Sequence, residues 1–207
     1  MALDTEEEQV EKIQNIWKSY KYLIITIIVI LFGIYFAYGY YSDQKIQKSE
    51  QASQLYQEIL IKRIEDIDLI KDKVDLLKKS YKDTPYASRS SIFLSKLYSQ
   101  NSNNEEAIKQ LIWATQNAVE ESIESMAYYH LANLYLVNNK LDQAMESAKR
   151  INTIGFQTLA KDIIGDIHLK QNNKEEAKKF YLESLKSYKG QGDLRKILQN
   201  KIDSIGK

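Results

Sequence analysis

The stretch LANLYLVNNKLDQAMESA (131–148) decides the fold, because LSKLYSQNSNNEEAIKQL (94–111) and IGDIHLKQNNKEEAKKFY (164–181) can be laid over it without a gap. In each copy a small residue, Ser95, Ala132 or Gly165, precedes an alanine, Ala107, Ala144 or Ala177, by twelve positions, and the copies are spaced by 37 and 33. Leu94, Leu131 and Ile164 match, as do Tyr98, Tyr135 and His168. So do Leu111, Ala148 and Tyr181, and then Ala114, Ile151 and Ser184. A fixed period of this size predicts stacked helical hairpins. Two antiparallel helices approach closely only where both carry small side chains, so Ala132 meets the neighbourhood of Ala144 while Tyr135 or Leu131 fills the space beside it. The asparagine-rich turns at Asn103, Asn138 and Asn172 precede Glu105, Asp142 and Glu175, acids that favour the start of a second helix.

A period near 34 with a small residue, a tyrosine three later and an alanine nine after that resembles the tetratricopeptide repeat. Pro85 falls where that repeat places a proline, and Thr84 with Pro85 reads as a cap followed by the first helical residue. Upstream, Ala52, Leu55, Tyr56, Ile59, Leu60 and Ile64 form one helix face, and Leu69, Ile70, Val74 and Leu77 a second, together a first hairpin. Downstream of Gly190 and Gly192, the stripe Leu194, Ile197, Leu198, Lys201, Ile202 and Ile205 describes a last amphipathic helix. With Arg195, Lys196 and Asp203 on its outer face, it suits a terminal cap on the last repeat. The expected fold is therefore all-α: a tetratricopeptide-like solenoid with a C-terminal capping helix.

Ahead of the repeats lies YLIITIIVILFGIYFAYGYYS (22–42), which has no charged residue and would span roughly 31 Å as a helix, the thickness of a bilayer core. Trp17, Tyr20 and Tyr22 at one end and Tyr38, Tyr40 and Tyr41 at the other suit the two headgroup belts. Ala37 and Gly39 could serve a signal peptidase, but the apolar run is too long, and Asp4, Glu6, Glu7, Glu8 and Glu11 are the wrong leader for a signal peptide. A single transmembrane helix is expected, and the first helix after it can simply continue the span. Lys12, Lys18 and Lys21 against Lys45 and Lys48 favour a cytoplasmic N-terminus. Val10, Ile13, Ile16, Trp17 and Tyr20 stripe the leader, which is expected to lie on the membrane surface before the chain turns in. Gly33 and Ala37 either admit a second transmembrane helix or sit in the span by chance.

Composition narrows the function. Twenty-nine Lys and Arg against 28 Asp and Glu give no charge excess that would point to nucleic acid. With no cysteine there is no disulfide, thiolate nucleophile or Cys zinc site, and one proline with seven glycines nearly excludes an all-β chain. His130 and His168 fall in different copies, and His168 takes a packing slot. Asp66, Asp68, Asp72 and Asp75 are interleaved with Lys71 and Lys73 and lack a central glycine, so they read as a solvated helix face, not a calcium loop. No glycine-rich phosphate loop or Gly-x-Ser-x-Gly elbow exists in the chain. The chain reads as a non-enzyme without cofactor or metal.

What stacked hairpins offer is a concave face made by the first helices. By register it holds Arg89, Ile92, Lys96 and Ser99; then Met126, Tyr129, Asn133 and Leu136; then Leu159, Asp162, Asp166 and Leu169. The apolar middle set, Met126, Tyr129 and Leu136, either contacts an extended or helical partner or is covered by the cap or the N-terminal hairpin. Tyr98, Ala107, Leu131, Ala132, Tyr135, Ala144, Gly165, Ala177 and Tyr181 are assigned to packing between helices.

Taken in order, the leader EEEQVEKIQNIWKSY, the uncharged span, QASQLYQEIL and the last copy GFQTLAKDIIGDIHLKQNNKEEAKKFYLESL resemble the YfgM-like family, the ancillary subunit of the SecYEG translocon. The specific marks are Trp17-Lys18, Ala52-Ser53, Leu55-Tyr56 and Gly165-Asp166; Phe156 departs from the tryptophan expected after the glycine, and Lys, Asn and Ile replace much of the usual alanine. The resemblance implies a single-pass protein of the bacterial inner membrane, with a cytoplasmic leader (1–21), a transmembrane helix (22–42) and a periplasmic repeat domain (43–207). It further implies association with the translocon, with a membrane-anchored periplasmic prolyl isomerase and with exported unfolded proteins passing to chaperones. A scaffold that tethers an envelope complex without meeting unfolded clients is the alternative.

Overall fold

The computed structural model describes residues 6–61 and 67–205. Its first helix, α1, runs Glu6–Ile61. It is followed by α2 (Ile67–Ser80), α3 (Pro85–Gln100), α4 (Asn104–Asn117), α5 (Glu121–Val137) and α6 (Leu141–Lys149). A 3₁₀ turn at Ile154–Phe156 leads to α7 (Gln157–Lys170), α8 (Lys174–Ser187) and α9 (Asp193–Ile205). Among the described residues no strand occurs, as the scarcity of turn formers implies. Ile64 and Asp66, named in the expected helix face and acidic cluster, lie outside the described residues.

The chain divides into two units, Met1–Gln47 and Lys48–Lys207. In the first, α1 is long and apolar enough to cross a membrane, and side chains such as Leu23, Ile28, Leu31 and Phe32 are exposed. The hydroxyl of Thr26 donates to the Tyr22 carbonyl at 2.8 Å, which satisfies a polar group that lipid could not. Gly33 and Ala37 are both exposed, and a Cβ on Gly33 would meet nothing within 4 Å. One expectation is corrected here. The helix passes from the leader into the apolar run without interruption, because nothing between Glu6 and Tyr22 breaks the backbone ladder. The leader is therefore not a separate surface helix followed by a turn.

In the second unit the end of α1 and all of α2 form the first hairpin. Ala52 and Ile59 are buried in one core with Ile70, Val74 and Leu77, and Lys73 pairs with Glu58. Lys48 meets Asp83 at 2.7 Å across the same hairpin. Three further hairpins follow, α3–α4, α5–α6 and α7–α8. Each helix packs on the next, and α3 touches α5 as α5 touches α7, so the first helices of successive hairpins stand side by side. Pro85 occupies the first turn of α3 behind Thr84, although the Thr84 hydroxyl donates back to the Tyr81 carbonyl at 2.7 Å instead of capping the helix.

The buried positions repeat with the sequence. Ser95 and Ala107, Ala132 and Ala144, and Gly165 and Ala177 are all buried. Sixteen residues after the small position the size varies in compensation: Leu111 with Ser95, Ala148 with Ala132, and Tyr181 with Gly165, the largest side chain opposite the residue that has none. A buried Leu or Ile of this kind contributes about 1.5–3 kcal/mol. The turns repeat as well. Ser102, Asn139 and Asn172 hold φ of 61°, 57° and 62°, spaced as the copies are, and left-handed backbone is tolerated best by glycine and asparagine. In the first two copies the left-handed residue stands next to Asn103 and Asn138, which hold other roles. Asn103 instead caps α4, accepting from the Glu106 N–H, and Asn138 ends α5 and accepts from the Asn104 amide of the preceding hairpin at 3.0 Å.

The last helix closes the stack. Leu198 and Ile202 of α9 are buried against Ala177 and Tyr181 of α8. Lys201 reaches past them to Asp162 at 2.7 Å and Asp166 at 2.8 Å, and the Tyr181 hydroxyl donates to Asp166 at 2.6 Å.

Candidate functional site

Between α3 and α5 the side-by-side arrangement leaves an open groove of about 740 Å³. From α3 it takes Arg89, Ile92, Lys96 and Ser99, and from α5 Met126, His130, Asn133 and Val137. Spacings of three and four keep each set on one helix face. Phe93, Leu111 and Leu134 form the floor, and Tyr56 of α1 contributes from the first hairpin. Apolar side chains thus lie beneath a polar rim, an arrangement that suits a protein segment.

The rim is basic. Arg89 reaches Glu120 at 3.4 Å, a long contact between two exposed groups, while Lys96 makes no ion pair among the described residues. His130 stands at the mouth, where desolvation, and after it the Lys96 ammonium, lower its pKa and keep it neutral at pH 7. Burial raises the Tyr56 pKa against the pull of Arg89, so Tyr56 offers the groove a neutral ring, set 5.8 Å from Tyr86. The Asn133 amide donates to the Tyr129 carbonyl at 2.8 Å, leaving its oxygen as an acceptor.

Of the residues assigned by register to the concave face, Arg89, Ile92, Lys96, Ser99, Met126 and Asn133 come together in this groove. The others do not. Tyr129 is half-buried outside the lining, its ring 5.6 Å from that of His130. Leu136 packs on the core of Ala132, Ala144, Ala148, Ile163 and Ile167. Asp162 and Asp166 are held by Lys201, and the two hydrogen bonds they accept raise the Lys201 pKa although burial works against it. Leu159 is half-buried and Leu169 exposed, neither in the groove. The cap helix therefore occupies the third copy's share of the concave face. His130 and Val137 went unassigned in the sequence, although with Met126 and Asn133 they complete a helix face one position on from Tyr129 and Leu136.

The packing positions sit where hairpins meet. Ala107, Ala132, Ala144, Ala177 and Tyr181 have no exposed surface, Tyr98, Leu131 and Gly165 are buried, and Tyr135 is half-buried. His168 stacks on Phe180 with ring centroids 5.3 Å apart. Asp68, Asp72 and Asp75 are exposed, and among the described residues no group of His, Asp or Glu is placed to hold a metal ion.

A family model described as a tetratricopeptide repeat-like domain matches residues 14–207. A relative named an ancillary SecYEG translocon subunit, from Buchnera aphidicola subsp. Acyrthosiphon pisum (strain APS), is 26% identical over 100 residues. The match covers 48% of this chain and 52% of the relative, so the chain spans about half the length of the curated relative it matches. Its name agrees with the resemblance carried by the leader, the span and the last copy. Among solved structures, a Podosopora anserina putative kinesin light chain with nearly identical TPR-like repeats superposes with a TM-score of 0.55 at 14% identity, covering 78% of this chain and 85% of that one. A single-substitution variant of that same protein gives 0.56 at the same identity, covering 78% and 84%. At that identity these two structures share the fold alone.

Proposed function

The chain belongs to the tetratricopeptide repeat-like domain family, and from that membership we propose that it is a membrane-anchored protein-interaction module serving the Sec translocon. α1 supplies the anchor, with its N-terminus in the cytoplasm and the repeats in the periplasm, and exported chains pass through the groove on their way to periplasmic chaperones. A membrane-anchored prolyl isomerase is a further partner. The observation that carries this reading is the groove between α3 and α5, open and apolar at its floor. The name of the Buchnera relative supports the translocon as the partner, and the lysine bias across the span supports the orientation. Binding without catalysis fits the side chains gathered there, which pair no nucleophile with a base.

Site-specific photocrosslinking in membranes tests the reading, with one probe at Ile34 in the span and another at Asn133 in the groove. Crosslinks from Ile34 to the translocon or the isomerase, and from Asn133 to exported precursors, are expected. Capture of one folded envelope protein from both positions, with no precursor, replaces this reading by that of a scaffold.

A further inference from the structure

Building on the proposed docking role of the groove, we infer that its occupant is an extended segment of an exported protein carrying carboxylate side chains beside bulky apolar residues. The cations of the lining are Arg89 and Lys96, with the neutral His130 beside them, and among the described residues no Asp or Glu lines it. Over the whole chain acids and bases balance, 28 against 29. The single sign of the groove is therefore a local property, of the kind that selects a partner of opposite charge. Lys96 has no carboxylate partner among the described residues and is the available cation, while Arg89 holds Glu120 at 3.4 Å between two exposed groups and can share its remaining N–H donors with a second carboxylate. Directly beside them Met126 and Val137 offer apolar surface, with Val137 76% exposed.

The polar groups favour an extended chain over a helix. A helix satisfies its own backbone and brings only side chains, whereas an extended segment needs partners for its N–H and C=O groups. The free oxygen of Asn133 and the amide of Gln100 stand on the lining to supply them. The apolar residues of the segment then rest on the floor while its carboxylates meet Arg89 and Lys96.

The test uses the full chain in detergent micelles and three fluorescent peptides of equal length and equal apolar content. At two positions they carry Asp, Asn or Lys. The Asp peptide is expected to bind about tenfold more tightly than the Asn peptide at low salt, with the advantage shrinking as salt rises. Arg89→Glu with Lys96→Glu reverses the order in favour of the Lys peptide. Circular dichroism checks that this variant stays folded, and Lys96→Gln, expected to cut the advantage about threefold, replaces it if it does not. Equal binding of all three peptides to the native chain, with Met126→Asp weakening them all, overturns the inference and leaves the docking role standing. If Met126→Asp changes no affinity, the groove is not the docking site and both readings fall together.

Discussion

Tyr181 occupies the space that a side chain at residue 165 would need. A Cβ on Gly165 would stand 2.5 Å from both Cδ1 and Cε1 of the Tyr181 ring. The ring cannot swing clear, because its hydroxyl is tied to Asp166, Lys201 lies 5.2 Å from its centroid and the side chain is wholly buried. Gly165→Ala would gain about 1 kcal/mol in helix propensity but incur an overpacking cost of about 1–3 kcal/mol. A net loss of about 1 kcal/mol is expected, read as a lower urea midpoint. The same substitution in a Tyr181→Leu background should be neutral or stabilising, and additive losses in the double variant would show that the contact is not the cause.

Lys201 joins the cap to the last hairpin through two carboxylates that are 13% and 30% exposed. Lys201→Met removes the cation and leaves Asp162 and Asp166 facing each other half out of water, a loss of about 2 kcal/mol for a pair only partly buried. Amide exchange within α9 should accelerate while α3 to α5 stay protected. Adding Asp162→Asn and Asp166→Asn removes the repulsion and should recover most of the protection. Exchange that rises uniformly along the chain would mean that the cap does not open alone.

Ser102 holds a left-handed backbone, φ 61°, that the two later copies assign to asparagine. Asparagine adopts this region more readily than serine. Ser102→Asn should therefore raise stability by about 0.5 kcal/mol, seen as a melting temperature higher by a few degrees, while Asn139→Ser should lower it by a similar amount. Opposite signs at the two turns are the expected result, and equal signs would reject the account.

The repeat is legible in the sequence because its packing is local. Ser95 and Ala107, Ala132 and Ala144, and Gly165 and Ala177 are buried in single hairpins at one offset that survives every change of residue, and Ala132 and Ala144 share one core. The groove is less so. Arg89, Ile92, Lys96, Met126 and Asn133 are legible as helix faces, but copying the register from one hairpin to the next assumes identical surroundings. Tyr129 and Leu136 fail that assumption because α7 packs on the side of α5 that Leu136 faces, and Asp162 and Asp166 fail it because α9 covers the third copy. Tyr56 reaches the groove from a helix some 33 residues before Arg89, a placement that no local pattern in the sequence encodes.

His130 adds a pH dependence to the groove. Its pKa lies below the ordinary value of 6.5, first through desolvation and then through Lys96, so raising the pH from 7 to 8 leaves its charge unchanged. Lowering the pH through its depressed pKa adds a third cation to a lining that already holds Arg89 and Lys96. A bound carboxylate favours that protonation, so the occupied groove takes up a proton at a higher pH than the empty one. Affinity for a carboxylate-bearing peptide should accordingly change little from pH 7 to 8 and increase a few-fold as the pH falls below 6.5 through the depressed pKa, as long as the carboxylates of the peptide stay ionised. His130→Gln should abolish the increase without changing the affinity at pH 7.5. Anisotropy titrations at fixed ionic strength measure both, and an increase that persists in His130→Gln would assign the proton to another group.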